Sequence, residues 1–174
     1  MEIGMVEPGS IILVERTWKF YDHYAIYAGD RQVIHYAPKE DGGKTFIHKA
    51  GIEEFLDGSN RFYVPYLPQN KADVEALIKF HKQRRNIYQE IADELFNVYD
   101  ETVAKVYTAA ETLKRALGRL GESLYNVIGN NCEHFAFWCK FKLRISSQIN
   151  RIMDFVNSAL MRCLCQRYHR YVSI

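Results

Sequence analysis

The first 65 residues alternate short apolar runs with turn signals, at intervals that suit strands better than helices. Ser10–Glu15 (SIILVE) follows the Pro8-Gly9 turn and predicts a first strand. His23–Ala28 and Arg31–Tyr36 predict the two arms of a hairpin turning at Gly29-Asp30. Polar and apolar positions alternate poorly within these runs, as expected of strands covered on one or both faces, and their Ile, Val and Tyr content favours sheet. Pro38–Lys44 is polar and glycine-containing, hence a loop. Thr45–His48 and Arg61–Val64 predict two more strands, separated by a helical turn over Gly51–Leu56, and Pro65 and Pro68 close the sheet region.

The period then changes. From Lys71 to Leu117 there is no glycine or proline, and Tyr99, Val103, Val106, Ala110, Leu113 and Leu117 recur on one helical face. A single helix of that extent would run roughly 70 Å at 1.5 Å per residue, longer than a domain of this size is wide. The pattern therefore predicts a break near Arg84-Arg85-Asn86 and an inserted helical hairpin over about 71–117. Gly118 and Gly121 punctuate its end, and apolar Tyr125–Ile128 leads through Gly129 into a last helix that starts near Cys132.

Composition bounds the class. With 174 residues, 48% of them hydrophobic, the chain can bury the core of one domain with an appendage. The N-terminal MEIGMVEPGS has neither the basic start nor the apolar run of a secretory signal, so a cytoplasmic location and reduced thiols are expected for the four cysteines. Cys163 and Cys165 are one residue apart, too close for half of a usual tetrahedral zinc site. The net charge of +2 hides an asymmetry: from Lys140 onward seven Lys and Arg face only Asp154, while the preceding residues are net negative. Ile145, Ile149, Ile152, Val156 and Leu160 share a helical face there, describing a basic amphipathic tail over 146–174 suited to anionic lipid on intracellular membranes. No apolar span of about 20 residues is present, and no nucleic-acid motif accompanies the charge.

The candidate chemistry centres on Asn130-Asn131-Cys132-Glu133-His134. Either asparagine can cap a helix, placing Cys132 in its first turn, where unpaired N–H groups and the helix dipole favour a thiolate. His23 is the candidate base and His35 the candidate orienting group, on neighbouring strands. Helix-start N–H groups and the Tyr21 hydroxyl are candidate oxyanion donors. Two positions past Cys132, His134 points elsewhere and reads as a polar residue of the helix start, while His48, His81 and His169 carry no motif. A metal site built from His23, His35 and Cys132 would lack a clear fourth ligand, so no metal is expected.

KFYDHYAIYAGDRQVIHYAP, followed much later by NNCEHFAFWC, resembles the lecithin:retinol acyltransferase family, including its H-Ras-like suppressor phospholipase/acyltransferase members. The resemblance covers about residues 7–65 and 122–145. It implies an α+β fold of the circularly permuted papain-like (NlpC/P60) type, with a small antiparallel sheet packed on the cysteine-bearing helix and the histidine strands first in the chain. It implies Cys132 as nucleophile, His23 as general base, His35 as third polar residue and Tyr21 near the oxyanion. It further implies a thiol phospholipase A1/A2 and acyltransferase that moves the acyl group of a glycerophospholipid through a thioester to an acceptor, without a cofactor. Residues 1–145 would form this catalytic domain. Two departures stand out: the 71–117 stretch is longer than in compact members, and Met153–Cys165 is too polar for their apolar anchor. A cysteine peptidase or amidase of the same superfamily, and a non-catalytic binding protein that keeps the fold, remain the alternatives.

Overall fold

Strand β2 (Tyr21–Gly29) is covered on both faces, which explains why its sequence does not alternate. In the computed structural model, which describes residues 3–16, 21–38, 43–76 and 105–146 and the backbone of 169–173, β2 lies inside a six-stranded antiparallel sheet. The other strands are β1 (Ile11–Arg16), β3 (Gln32–Pro38), β4 (Thr45–Gly51), β5 (Arg61–Pro65) and β6 (His169–Ser173), in the order β4-β3-β2-β1-β5-β6. Helices α1 (Ile52–Leu56), α2 (Ala109–Leu117) and α3 (Cys132–Phe141) complete the α+β fold.

Each face of the sheet has its own core. Ile12, Val14, Ala25, Tyr27 and Val33 pack with Ile52, Phe55 and Leu56 of α1. On the opposite face Ile11, Leu13, Tyr24, Ile26, Ile34, Tyr36 and Ile47 meet Ala116 of α2 and Cys132, Phe135, Ala136 and Cys139 of α3. Full burial of each large apolar side chain contributes roughly 1.5–3 kcal/mol, so the two layers hold the sheet from both sides.

The β2–β3 turn forms where the pattern places it, with Asp30 and Arg31 both at positive φ, the geometry of a two-residue hairpin loop. At the other end of the hairpin the β2–β3 ladder stops at Ala25–His35. Beyond it β2 continues to Tyr21 on β1, and β3 continues to Pro38 on β4. Pro8-Gly9 is fixed by a close approach: Gly9 has φ +97°, and a Cβ there would fall 1.9 Å from the Ala109 carbonyl oxygen.

The expected helical face across Val106 is interrupted. Residues 105–108 are not helical; α2 starts after Thr108, whose side chain accepts from the Glu111 N–H while Glu111 accepts from the Thr108 N–H. The extended residues close the end of α3 instead. Lys105 and Tyr107 donate backbone N–H groups to the Phe141 and Lys140 carbonyls, and the Arg115 guanidinium donates to Cys139 and Trp138. All four C-terminal carbonyls of α3 are thereby satisfied. Residues 71–76 are helical; the expected break at 84–86 and most of the hairpin lie outside the described residues. So do residues 147–168 of the predicted amphipathic tail, whose final stretch, 169–173, is strand β6 and not helix.

Phe135, fully buried and edge-on to Tyr36 with ring centroids 6.0 Å apart, joins α3 to β3. Phe135→Ala should cost about 3–5 kcal/mol in urea unfolding; a loss below about 1 kcal/mol would contradict this packing.

Candidate active site

Cys132 is the first residue of α3, and the Asn131 side chain caps it by accepting the His134 N–H at 3.0 Å. His134 reciprocates: its Nδ1 lies 3.3 Å from the Asn131 backbone nitrogen, a capping box with imidazole in the usual glutamate role. His134 is thus a buried polar residue of the helix start, as its spacing predicts. The preceding loop is tied down by Asn130, whose amide donates to the Leu124 carbonyl (2.8 Å) and the Tyr36 hydroxyl (3.2 Å). Tyr36 in turn donates to Glu122 at 2.8 Å. Burial alone would raise the Glu122 carboxyl, but hydrogen bonds from Arg119 and Tyr36 outweigh it and hold it low.

This cap drives Cys132 into the place where β2 and β3 part. Its Sγ sits 3.9 Å from the Asp22 carbonyl oxygen, and the Tyr24 backbone N–H is directed at the sulfur. The thiol therefore touches the backbone on either side of His23. Only 3% exposed, it departs from the expected activated thiolate: burial pushes its pKa up to about 12, and the neighbouring Glu133 carboxylate adds to this. The Tyr24, Glu133 and Cys132 N–H groups pull the other way and do not overcome it. A helix N-terminus stabilises a thiolate by a kcal/mol or so, whereas full desolvation opposes it by several.

His23 and His35 are joined directly, His23 Nε2 to His35 Nδ1 at 2.9 Å. Both pack near the Phe55 ring, at centroid distances of 5.4 and 6.0 Å. His35 is 2% exposed; burial first, then the adjacent His23 and His48, lower its pKa to about 3, so it stays neutral across the physiological range.

Two further residues stand beside it, His48, which carries no motif, and Glu54, which the sequence reading does not single out. The β3–β4 register places His48 opposite His35, with ring centroids 4.8 Å apart, and α1 brings Glu54 to 2.9 Å from His48 Nε2. No spacing rule could have found them, because they meet through strand register and not along the chain. Tyr21 opens β2, and Tyr125 lies on the loop before the cap, where burial first, and then the proximity of the ionisable Cys132 and Tyr21, raise its phenol. The apolar Tyr125–Ile128 run was the only sequence signal for Tyr125.

The class the geometry defines is an α+β protein with a buried thiol opening a helix and seated on the strand that carries one member of a hydrogen-bonded histidine pair. Residues 5–145 match the family model described as lecithin retinol acyltransferase, and the chain belongs to that family. It is 30% identical over 159 residues to lecithin retinol acyltransferase of Rattus norvegicus, covering 89% of this chain and 63% of that protein. It is 28% identical over 157 residues to phospholipase A and acyltransferase 1 of Homo sapiens, covering 88% and 80% of the two chains. Phospholipase A and acyltransferase 3 of Mus musculus matches at 28% over 154 residues, 88% of this chain and 82% of its own. The chain thus spans less than two thirds of the length of the rodent lecithin retinol acyltransferases it matches.

Two outcomes are expected from these environments. His35 has a folded pKa near 3 against 6.5 when unfolded, so the unfolded chain binds more protons between these values. Its contribution is complete above pH 6.5 and is lost as pH falls toward 3, with a slope of up to ~1.4 kcal/mol per pH unit. His35→Asn should remove that slope from the acid limb of urea-measured stability, and an identical limb would refute the assignment. Iodoacetamide labelling of Cys132, followed by peptide mass, should keep accelerating from neutral into alkaline pH; a plateau already in the acid range would reveal a resting thiolate instead.

Proposed function

We propose that this chain is a thiol acyltransferase and phospholipase A that takes an acyl group from a glycerophospholipid and carries it as a thioester on Cys132. The observation that carries the reading is the His23–His35 hydrogen bond of 2.9 Å at the point of β2 whose flanking backbone meets the Cys132 sulfur. With His23 Nε2 engaged by His35, the Nδ1 nitrogen, nearer the backbone, is the one that serves Cys132.

The steps follow from these positions. His23 Nδ1 takes the thiol proton as the sulfur attacks the ester carbonyl, and the tetrahedral oxyanion is met by the Cys132 N–H and a phenol of Tyr21 or Tyr125. Collapse breaks the acyl–oxygen bond; the lysophospholipid alkoxide leaves with the proton held by His23, and the acyl group stays on sulfur. Water, an amine or a hydroxyl acceptor then attacks the thioester with His23 again as base, giving a fatty acid or a transferred acyl group. Because the resting thiol is un-ionised, proton removal and attack are coupled. His35 remains a neutral hydrogen-bond partner that orients His23. No step requires a cofactor. The strand-before-helix order fits a circularly permuted papain-like arrangement.

A lipid ester is favoured over a peptide by the rim of the site. Leu117, Leu120, Leu124, Val127 and Ile128 are all exposed on the segment that runs into the Asn131 cap. Exposed apolar side chains gathered on one segment suit the acyl region of a membrane surface. Among the described residues no helix is long and apolar enough to cross a membrane, so the contact is read as peripheral, on intracellular membranes, with the basic tail as a second point of attachment.

Wild type and Cys132→Ala should be compared by intact mass after brief exposure to phosphatidylcholine and phosphatidylethanolamine vesicles. An acyl-sized adduct on wild type alone, with lysophospholipid released, is the expected result. Lipid turnover that survives Cys132→Ala would overturn the mechanism, and absence of adduct and turnover with every lipid would turn the reading to an amidase or a binding protein.

A further inference from the structure

We infer that His35, His48 and Glu54 form a binding site for a divalent cation of zinc type, and that its occupation switches off the His23 base. One donor atom from each residue lies within 4.8 Å of the other two. Ligands held tetrahedrally at about 2.0–2.1 Å stand roughly 3.3 Å from one another. The His48 Nε2–Glu54 Oε1 and His35 Nε2–Glu54 Oε1 separations, 2.9 and 3.6 Å, bracket that value. The Glu54 side chain is half exposed, which gives it freedom to close the set and gives an ion a way in. Two imidazoles and a carboxylate with a fourth position left for water is a donor set that zinc accepts.

The hydrogen bonding points the same way. His35 Nε2 is buried and its nearest acceptor, Glu54 Oε1, stands at 3.6 Å, too long for a well-formed hydrogen bond, which leaves a polar atom removed from water poorly satisfied. His48 faces oxygen acceptors with both ring nitrogens, the Phe46 carbonyl at 3.2 Å and Glu54 at 2.9 Å, although a neutral imidazole has a single proton to donate. An ion between His35 Nε2, His48 Nε2 and Glu54 would give the first atom a partner and leave the His48 proton on Nδ1, donated to Phe46. Both imidazoles would then have their remote nitrogens held by a second layer, His35 by His23 and His48 by the backbone, as metal-bound histidines usually do.

The consequence for His23 rests on the function proposed above. For His23 Nδ1 to act as base, its proton must sit on Nε2 and be donated to His35 Nδ1, leaving the His35 proton on Nε2. A cation on His35 Nε2 moves that proton to Nδ1. His35 then donates to His23 Nε2, the His23 proton shifts to Nδ1, and the base is occupied. The cation would inhibit through the His35–His23 hydrogen bond and needs no contact with Cys132.

The test uses the full chain and Zn²⁺ or Co²⁺ as probes. Calorimetric titration of the Cys132→Ala protein should show a binding event that His48→Asn and Glu54→Gln each weaken at least about tenfold, with Co²⁺ visible absorption reporting histidine and carboxylate ligands. Titrations that are the same in all three proteins would overturn the site. In vesicle turnover assays Zn²⁺ should inhibit wild type reversibly, relieved by chelator, while His48→Asn, measured against its own metal-free rate, needs at least about tenfold more Zn²⁺. Binding without inhibition would overturn the coupling to His23 and keep the site. Binding in a wild type that turns over no lipid would count against the proposed function and not against the metal site.

Discussion

The parting of β2 from β3 below the Ala25–His35 pair is the constraint on which the site depends. A continuous ladder would engage the Tyr24 N–H and the Asp22 carbonyl with a neighbouring strand. Because the strands diverge, those groups face the N-terminus of α3, and the Cys132 sulfur takes the place a strand would have filled. Both strands remain supported on their outer sides, β2 by β1 and β3 by β4, so the opening is held by complete ladders and not by a flexible loop. Strand ends are where a sheet can present side chains and backbone donors together without exposing an unpaired interior edge.

Closing α3 at its far end is equally demanding, and it explains where the chain stops being helical before α2. Four carbonyls at a helix C-terminus need donors. Here they come from Lys105, Tyr107 and Arg115, with Lys142 turning the chain at positive φ. Residues 105–108 cannot be helical and lend their N–H groups outward at the same time. Arg115 also stacks on Trp138, 3.9 Å from the ring centroid, which couples α2 to α3. The position of Cys132 is therefore set from both ends of its helix, by the Asn131–His134 box at one and by this cluster of donors at the other.

Much of this was legible from residues alone. The five strands of the first 65 residues, the Gly29-Asp30 hairpin and the Asn131 cap announce themselves through local rules of turn chemistry and capping, and local rules suffice where neighbours in sequence are neighbours in space. Thr108-Ala-Ala-Glu111 carries the same kind of local signal, a capping box, but the apolar period from Tyr99 to Leu117 runs across it and masks the helix start. His48 and Glu54 were not legible, because strand register and the turn into α1 bring them to His35. The Cys132 environment shows a different limit: position at a helix start is visible in sequence, whereas the depth of burial that outweighs it is a property of the packed fold.

Burial of both members of the candidate catalytic pair gives the arrangement a coherent electrostatic logic. An un-ionised Cys132 thiol and a neutral His35 are what withdrawal from water favours, since ionising either group there has to be offset against its desolvation. Glu133, the acidic group nearest Cys132 on its own helix, works against a thiolate and favours the neutral state further. In the reaction proposed above, charge would develop only when an ester carbonyl is in place to receive the sulfur's electrons, with the N–H groups of the helix start as the candidate donors to the oxygen that becomes negative. On that proposal the same helix dipole, too weak to ionise the resting thiol, would act on the developing charge of the transition state at its end. If the proposed reaction holds, the balance between transfer and hydrolysis would be set by how far the acyl acceptor keeps water from the thioester.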